Sequence, residues 1–286
     1  MRKKVPRSQI AAELMPGVST QLLQDLHLLT RDGDLNADAR RKLKQIQHLL
    51  HLVRPAIDDV LARHPEPVLV DCGAGKSYLG FLLYETALGP AGRGTLYAVE
   101  ARPELVDAGR ARAVRFGHDR VRFLAGDIAA ADLPSRIHLV TALHACDTAT
   151  DDALLLAIRG NADHVAVVPC CQAEVACQLG NAHVDDPAVA ALFAHPWHRR
   201  ELGSHLTNVV RALALEANGY RVTVTELTGW EHSVKNELIL GKRVQRFDAL
   251  AQARLDALVE RFGIQPALVR HLAETAPTPL VPPPES

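Results

Sequence analysis

The sequence predicts an α/β fold with a seven-stranded, mostly parallel sheet, an antiparallel last strand and a helical N-terminal extension. From residue 67, short apolar segments alternate with amphipathic segments, which is typical of a parallel sheet covered by helices on both faces. The last two apolar segments, 220–227 and 235–243, have no helical segment between them, and this predicts an antiparallel pair. Residues 8–64 show helical periodicity and contain no segment typical of a strand.

Each predicted element follows from a short stretch of sequence. Runs rich in β-branched and other apolar residues predict the parallel strands, namely "PVLVDCG", "GTLYAVE", "VRFLAGD", "IHLVTALHA" and "HVAVVPCC". Segments with helical spacing of apolar residues lie between or after them, namely "YLGFLLYETAL", "ARPELVDAGRARAVRFG", "ATDDALLLAIRG" and "LTNVVRALALEANG". The strands "YRVTVTEL" and "KNELILGKR" complete the predicted sheet.

The chain divides into four predicted regions. The helical extension covers residues 1–64 and the α/β domain covers residues 65–244. Further helices are predicted over 245–275, and residues 276–286 form a proline-rich tail. In the extension, apolar residues recur on one broad stripe, which predicts a helix that packs on another part of the protein. The stripe consists of Leu43, Ile46, Leu49, Leu50, Val53, Ile57, Val60 and Leu61.

Composition excludes several classes of protein. The 286 residues contain no apolar run of the roughly 18 needed to span a bilayer and no apolar secretion signal, so we expect a cytoplasmic protein without a membrane partner. Five cysteines, an odd number, favour free thiols in a reducing compartment. Because the net charge is only −1, binding to RNA requires a local basic patch. Candidate patches are residues 1–7, 39–44, 198–200 and 241–246.

The stretch "VDCGAGKSYLG" places a glycine turn directly after the first predicted strand. A phosphate-binding P-loop needs a glycine five residues before Gly75, where this chain has Val70 inside the strand. Asp71 would also repel phosphate. The dinucleotide fingerprint Gly-x-Gly-x-x-Gly is broken because Tyr78 replaces its third glycine. Neither kind of phosphate site is therefore predicted.

S-adenosylmethionine (SAM) suits this turn better, because it carries no pyrophosphate. Gly73 and Gly75 allow the ligand to approach the main chain closely, since they lack a Cβ atom. The charged amino-acid end of SAM favours a nearby carboxylate, and Asp71 can supply one. The pattern Asp-x-Gly-x-Gly-x-Ser is similar to the first motif of class I SAM-dependent methyltransferases.

Two further carboxylates lie at the ends of the next two predicted strands. Glu100 closes the second strand, where an acid can accept hydrogen bonds from both ribose hydroxyls. Asp127 closes the third strand, where the resemblance to class I SAM-dependent methyltransferases implies an acid against the adenine amino group, and Ile128 can flank the ring. The alternative for each acid is that it caps the following helix. Three acids at successive strand ends, beside a glycine turn, predict a SAM site in a Rossmann-like sheet.

Two later stretches, "LHACDTATDDAL" and "VPCCQAE", follow the fourth and fifth predicted strands. Together with "VDCGAGKSYLG" they resemble a methyltransferase-domain family that includes the glutathione S-transferase C-terminal domain-containing protein. That family is similar to tRNA 2′-O-methyltransferases that act on the acceptor stem. The resemblance spans about residues 40–243, although Asp147 stands where the family has glycine. It implies a SAM-dependent methyltransferase with an RNA substrate.

Candidate catalytic residues follow the fourth and fifth strands. Methyl transfer is an in-line displacement, so a base is needed only for a weak nucleophile, and His144 or Asp147 could serve. His144 is also a candidate to contact the cofactor. Cys170 follows a proline, as in the RNA cytosine-C5 methyltransferases, which attack the base with a thiolate. The alternatives are a backbone-bonded histidine, a helix-capping aspartate and a small packing cysteine.

The stretch "HPWHRRELGSH", residues 195–205, is rich in histidine and arginine and is predicted to be a loop that faces the substrate. Arg199 and Arg200 could meet phosphate or carboxylate, and Trp197 could stack on a base. The alternative is a surface loop with one buried aromatic side chain. No spacing typical of a zinc site is present, so we expect no metal.

These observations predict a SAM-dependent methyltransferase whose substrate is RNA, either tRNA or rRNA. One alternative is a methyltransferase of a small molecule or a protein side chain, which the near-neutral net charge favours. Another is a non-catalytic SAM-binding scaffold that recruits partners through its helical extension and proline-rich tail. The sequence leaves the oligomeric state open.

Overall fold

Seven strands form one mixed sheet in the spatial order β3-β2-β1-β4-β5-β7-β6 in the computed structural model, which describes residues 15–29, 37–143, 145, 148–169, 172–227 and 237–274. The strands are β1 (Val68–Cys72), β2 (Thr95–Glu100), β3 (Val121–Ala125), β4 (Leu139–Leu143), β5 (His164–Val168), β6 (Tyr220–Glu226) and β7 (Glu237–Arg243). The first five strands pair in parallel, and β7 pairs antiparallel with both β5 and β6. The predicted fold class is confirmed.

Helices connect the strands and cover both faces of the sheet. They are α1 (Thr20–Asp25), α2 (Ala37–Arg63), α3 (Tyr78–Leu83), α4 (Gly89–Ala91), α5 (Pro103–Arg115), α6 (Thr148–Arg159), α7 (Glu174–Asn181), α8 (Pro187–Ala191), α9 (Pro196–Ala217), α10 (Ala249–Phe262) and α11 (Ala267–Glu274). A π-helical segment joins α3 to α4, and a 3₁₀ turn follows β3. Of the helices in the described residues, none is long and apolar enough to cross a membrane.

Alternation along the central strands creates two cores. Leu69 of β1 lies in a core shared with α1, α2, α3 and α5, while the next residue, Val70, lies in a core shared with α6, α9, α10 and α11. Successive side chains of a strand point to opposite faces, so a continuous apolar run fills both cores at once. This is why the parallel strands appear in the sequence as uninterrupted apolar segments.

The predicted helical extension packs directly on the sheet. Most of the α2 stripe is buried in the first core, while Leu50 and Leu61 are partly buried at its border. Asp25 at the end of α1 accepts a hydrogen bond from Arg112 at 2.5 Å and forms an ion pair with Arg115 at 2.7 Å, and both arginines lie on α5. The four-region division of the chain stays a prediction, and residues 1–14 and the tail lie outside the described part.

The stretch 195–205, predicted as a loop, is instead the start of a helix. Pro196 is the first residue of α9, a position that suits proline because the first helical N–H has no partner within the helix. Gly203 permits close packing, because a Cβ there would come within 2.6 Å of the Ala176 main chain on α7. The loop prediction was wrong because Pro196 begins a helix and Gly203 lies inside that helix, where it packs against α7.

We expect truncation of a buried leucine on α1 to destabilise the whole domain. Leu22 is fully buried in the core that includes the sheet, so Leu22→Ala should lower the free energy of unfolding by about 2–5 kcal/mol. Urea unfolding followed by circular dichroism measures this difference. Gln21→Ala, at an exposed neighbouring position, is the control. An unchanged midpoint for Leu22→Ala would mean that α1 unfolds separately from the sheet.

Candidate functional site

The glycine turn after β1 has the left-handed main chain that its sequence suggests. Gly73 and Gly75 have φ angles of 62° and 57°, which glycine adopts without strain. Ser77 also has a positive φ, 54°, and its hydroxyl is fully buried without a hydrogen-bond partner among the described residues. The N–H of Ala74 donates to the carbonyl of Val99 at 3.0 Å, which joins the turn to β2. Of the three residues with positive φ, only Ser77 is strained, and its surroundings hold it in that conformation.

Glu100, at the end of β2, binds the turn through its carboxylate. The N–H of Gly75 donates to Oε2 at 2.7 Å, and Arg102 donates to Oε1 from its Nε at 2.8 Å and its main-chain N–H at 3.1 Å. Burial acts to raise the pKa of Glu100, but the hydrogen bonds from Arg102 and Gly75 outweigh it and lower that pKa. The carboxylate therefore stays charged at the mouth of the turn.

The side chain of Asp71 is buried beneath the glycine turn, although its position at the end of β1 suggested a side chain exposed to a ligand. Its side chain is buried, and Oδ1 accepts a hydrogen bond from the Thr141 hydroxyl at 2.9 Å. Burial raises the pKa of Asp71 to about 7, although hydrogen bonds from Thr141 and the Gly80 N–H act to lower it. Asp71 thus joins β1, β4 and the start of α3, and its predicted contact with the amino-acid end of SAM stays a prediction.

Asp127 and Ile128 follow β3 at the same edge of the sheet. Asp127 is exposed, whereas Ile128 is buried and begins the 3₁₀ turn. The N–H of Gly126 donates to the Glu100 carbonyl at 3.1 Å, so the ends of β2 and β3 are joined. The structure therefore places both residues one strand away from Glu100, while their contact with adenine stays a prediction.

The predicted catalytic residues His144, Asp147 and Cys170 lie outside the described residues, and their roles stay predictions. Ala145, the neighbour of His144, is described and buried. A Cβ placed on Gly73 would lie 3.4 Å from the Cβ of Ala145, so the segment after β4 passes directly beside the glycine turn. The stretch "LHACDTATDDAL" and the glycine turn therefore meet at this edge of the sheet, at Ala145 and Gly73.

A polar cavity of about 220 Å³ lies at the same edge of the sheet, next to the end of β5. Its lining includes Gln172, four positions of α9 and the first residue of β7. Buried hydrogen bonds connect these residues, and Arg211 of α9 forms a buried ion pair with Asp151 at 2.7 Å behind them. Gln172 belongs to the stretch "VPCCQAE", whereas Ser204, Asn208 and Glu237 were not predicted, because they come from segments far apart in the chain.

At the opposite edge of the sheet, His64, His138 and Asp163 are close enough together to suggest a metal site. The chemistry of the group does not fit a cation. Asp163 already accepts hydrogen bonds from Arg136 at 2.8 Å and His64 at 2.8 Å, and Arg63 lies at 3.4 Å. Nδ1 of His138 accepts the Val68 N–H at 2.9 Å, so the lone pair of the neutral ring is occupied. We assign no metal to this group.

The residues of the glycine turn fit SAM. The turn offers main chain without side chains at two positions, and Glu100 holds a buried, charged carboxylate at the end of β2. When bound, SAM supplies an electrophilic methyl group on a sulfonium centre. Residues of this chain then have to bind the nucleoside, orient the acceptor and exclude water. Arg102, which the sequence analysis missed, keeps the Glu100 carboxylate in one orientation.

We expect Glu100→Gln to weaken binding of S-adenosylhomocysteine, the demethylated product, by about tenfold or more. The amide keeps the shape of the side chain but loses the charge that strengthens hydrogen bonds to the ribose, which is worth roughly 1.5–3 kcal/mol. Isothermal titration calorimetry measures the affinity. Glu104→Gln, exposed on the first turn of α5, is the matched control. Equal dissociation constants for wild type and Glu100→Gln would contradict a role for Glu100 in nucleoside binding.

Asp71→Asn should remove part of the pH dependence of stability. The folded protein keeps a proton on Asp71 up to about pH 7, whereas an unfolded aspartate, with a pKa of 3.8, releases it earlier. The free energy of unfolding therefore falls as the pH rises from about 4 to about 7, by up to roughly 1.4 kcal/mol per pH unit. Urea unfolding at several pH values should give a flatter profile for Asp71→Asn. If the free energy of unfolding changed with pH in the same way for wild type and Asp71→Asn, ionisation of the buried Asp71 would not destabilise the protein.

The family comparison agrees with this site. Residues 41–178, just under half of the chain, match the profile of a family described as "Methyltransferase domain". The matched range runs from α2 to α7 and contains the glycine turn, Glu100 and Asp127. No curated protein matches the sequence.

Solved structures with a similar fold include two methyltransferases. An rRNA methylase from Streptococcus thermophilus is 12% identical, with 68% of this chain and 96% of that chain covered and a TM-score of 0.46. A magnesium protoporphyrin IX methyltransferase from Synechocystis PCC 6803 with bound SAM is 13% identical, with 85% and 100% covered and a TM-score of 0.44. Because these similarities are low, the assignment rests on the family match and the strand order. The chain carries a methyltransferase domain, its cofactor is SAM, and it is a SAM-dependent methyltransferase.

Proposed function

We propose that the methyl acceptor of this enzyme is RNA, with tRNA and rRNA as the first candidates. The observation that carries the proposal is an exposed aromatic and cationic pair on the first turn of α9. The side chain of Trp197 is 63% exposed, and the guanidinium carbon of Arg200 lies 4.3 Å from the centre of its ring. A large apolar ring left in solvent at the edge that carries the cofactor turn favours contact with a ligand.

The pair stands at the entrance to the polar cavity. Trp197, Glu201 and Ser204 lie four and three residues apart on α9, so they share one face of the helix. The helix rises about 1.5 Å per residue, which puts Trp197 roughly 10 Å from Ser204 along the axis. Three stacked nucleotides, at about 3.4 Å each, span a similar distance. A base stacked on Trp197 therefore leaves room for a neighbouring nucleotide to enter the cavity.

Stacking and charge suit single-stranded nucleic acid. An aromatic side chain that stacks on a base contributes about 1–3 kcal/mol, and arginine adds attraction for the phosphate backbone. Arg199 and Arg200 supply that charge locally, although the net charge of the chain is only −1. The resemblance to acceptor-stem tRNA methyltransferases points to the same class of substrate. We expect the modification to occur on RNA in the cytoplasm.

Transfer of a labelled methyl group from SAM tests the proposal directly. The purified enzyme is incubated with separate RNA, protein and small-molecule fractions of a cell extract, and the label in each is counted. We expect label in RNA and, after digestion, in one modified nucleoside. Label found only in protein or in small molecules would show that the proposed acceptor is wrong and would favour the alternative substrates.

Trp197→Ala should weaken RNA binding by about 5- to 100-fold, the effect of losing one stacked base. Fluorescence anisotropy with a labelled RNA measures the affinity, and repeating it at several salt concentrations measures the charge contribution. Trp197→Phe should retain most of the affinity because the ring can still stack. Leu192→Ala, which truncates another exposed apolar side chain, is the control. Unchanged affinity for Trp197→Ala would remove the structural basis of the RNA proposal.

A further inference from the structure

The polar cavity beside β5 has a defined pattern of hydrogen-bond acceptors, and this pattern limits what it can bind. The cavity lies where strand spacings of about 4.8 Å put β5 roughly 10 Å from β1 and its glycine turn. That separation suits an acceptor placed next to a bound cofactor. The inference about its ligand rests on the proposed function, because it names the part of the RNA that enters the cavity.

The orientation of the Asn208 amide is set from inside the core. NH1 of Arg211 lies 3.3 Å from Asn208 Oδ1, and arginine can only donate hydrogen bonds, so the atom facing it has to be the oxygen. Arg211 is itself fixed by its buried ion pair with Asp151. Asn208 therefore has to turn its NH₂ group away from Arg211, toward the cavity side.

The orientation of the Asn208 amide determines the hydrogen bonds of two cavity residues, Glu237 and Gln172. Asn208 Nδ2 donates to Glu237 Oε2 at 3.0 Å, which keeps that carboxylate as an acceptor. Asn208 Oδ1 accepts from Gln172 Nε2 at 2.8 Å, so Gln172 presents its oxygen to Ser204. The hydroxyl of Ser204 donates to that oxygen at 3.0 Å. Its own lone pairs are then left for another donor.

The cavity consequently presents acceptors to a ligand. Glu237 keeps Oε1 without a hydrogen-bond partner among the described residues, Ser204 keeps its lone pairs, and Glu201 adds a second carboxylate. The lining contains no lysine or arginine within the described residues, and His205 is its one basic side chain there. Such a lining disfavours phosphates and carbonyl oxygens, which bring further negative charge or acceptors. It favours a group with two or more N–H donors.

We propose that this cavity binds the methyl acceptor through an exocyclic amino group of a nucleobase, with Glu237 and Ser204 as the residues that determine specificity. An NH₂ group offers two donors, one for each acceptor, and a volume of about 220 Å³ accommodates a single base. Uracil, which has a carbonyl oxygen where cytosine has NH₂, places an acceptor against the carboxylate. A ribose hydroxyl has one donor and satisfies only one of the two acceptors.

Matched nucleosides test this inference without any methyl transfer. Binding of cytidine and uridine to the full-length protein is compared by ligand-observed NMR, with excess S-adenosylhomocysteine present to fill the cofactor site. The pair adenosine and inosine gives the same comparison for purines. We expect the amino-bearing member of each pair to bind about tenfold more tightly, as a well-placed hydrogen-bonding pair discriminates between bases. Equal binding of both members, or preference for uridine and inosine, would overturn the inference.

Glu237→Gln should abolish the preference for cytidine. The amide oxygen of the new side chain can still accept from Asn208, which leaves its NH₂ group to face the cavity as a donor. Glu260→Gln, at an exposed position of α10, should keep the wild-type preference. Calorimetry with S-adenosylhomocysteine checks that both variants fold. Retained discrimination in a folded Glu237→Gln variant would contradict the assigned role of Glu237.

The position of the methyl mark separates this inference from the proposed function. A mark on an amino-bearing base of RNA supports both. A mark on a ribose hydroxyl or a uracil keeps RNA as the substrate and overturns the amino-group inference. Cytidine preference without methyl transfer into RNA supports the inference about the cavity and contradicts RNA as the acceptor.

Discussion

The hydrogen bond from the Gly75 N–H to Glu100 is the contact on which the glycine turn depends. It joins a turn with positive φ angles to the end of the neighbouring strand, and it uses a carboxylate that Arg102 orients from the other side. The turn can keep Ser77 in its left-handed conformation because β1 and β2 are fixed by parallel pairing beneath it. The same carboxylate therefore shapes the turn and remains charged.

The amino edge of the sheet carries structural contacts, whereas the carboxyl edge carries the candidate functional site. At the amino edge, the end of α2 is bound to the sheet by histidine–aspartate hydrogen bonds, with His164 2.6 Å from Asp59 and His64 2.8 Å from Asp163. The His164 hydrogen bond is the main cause that lowers the pKa of Asp59 to about 2. These contacts stabilise the position of the helical extension and leave the carboxyl edge, where parallel strands end together, for the turn and the polar cavity.

Helix α9 connects the proposed RNA surface to the core. One face of the helix carries Trp197 in solvent, Ser204 at the cavity and Arg211 in the interior. The buried ion pair of Arg211 with Asp151 contributes little net stability on general grounds, since desolvation offsets much of the attraction. Arg211 instead sets the direction of the hydrogen bonds. Its guanidinium can only donate, so it determines which atoms of Asn208 and its partners face the cavity.

The order of the elements, the glycine turn and the strand-end carboxylate Glu100 could be predicted before folding, because each depends on local pattern and spacing. The fold was needed to show that residues 196–205 are helical and that Gly203 packs on Ala176. It also decided that Asp71 is buried against Thr141. The cavity could not be predicted because its residues meet only after β7 inserts between β5 and β6, and hydrogen-bond direction depends on partners that are distant in the chain.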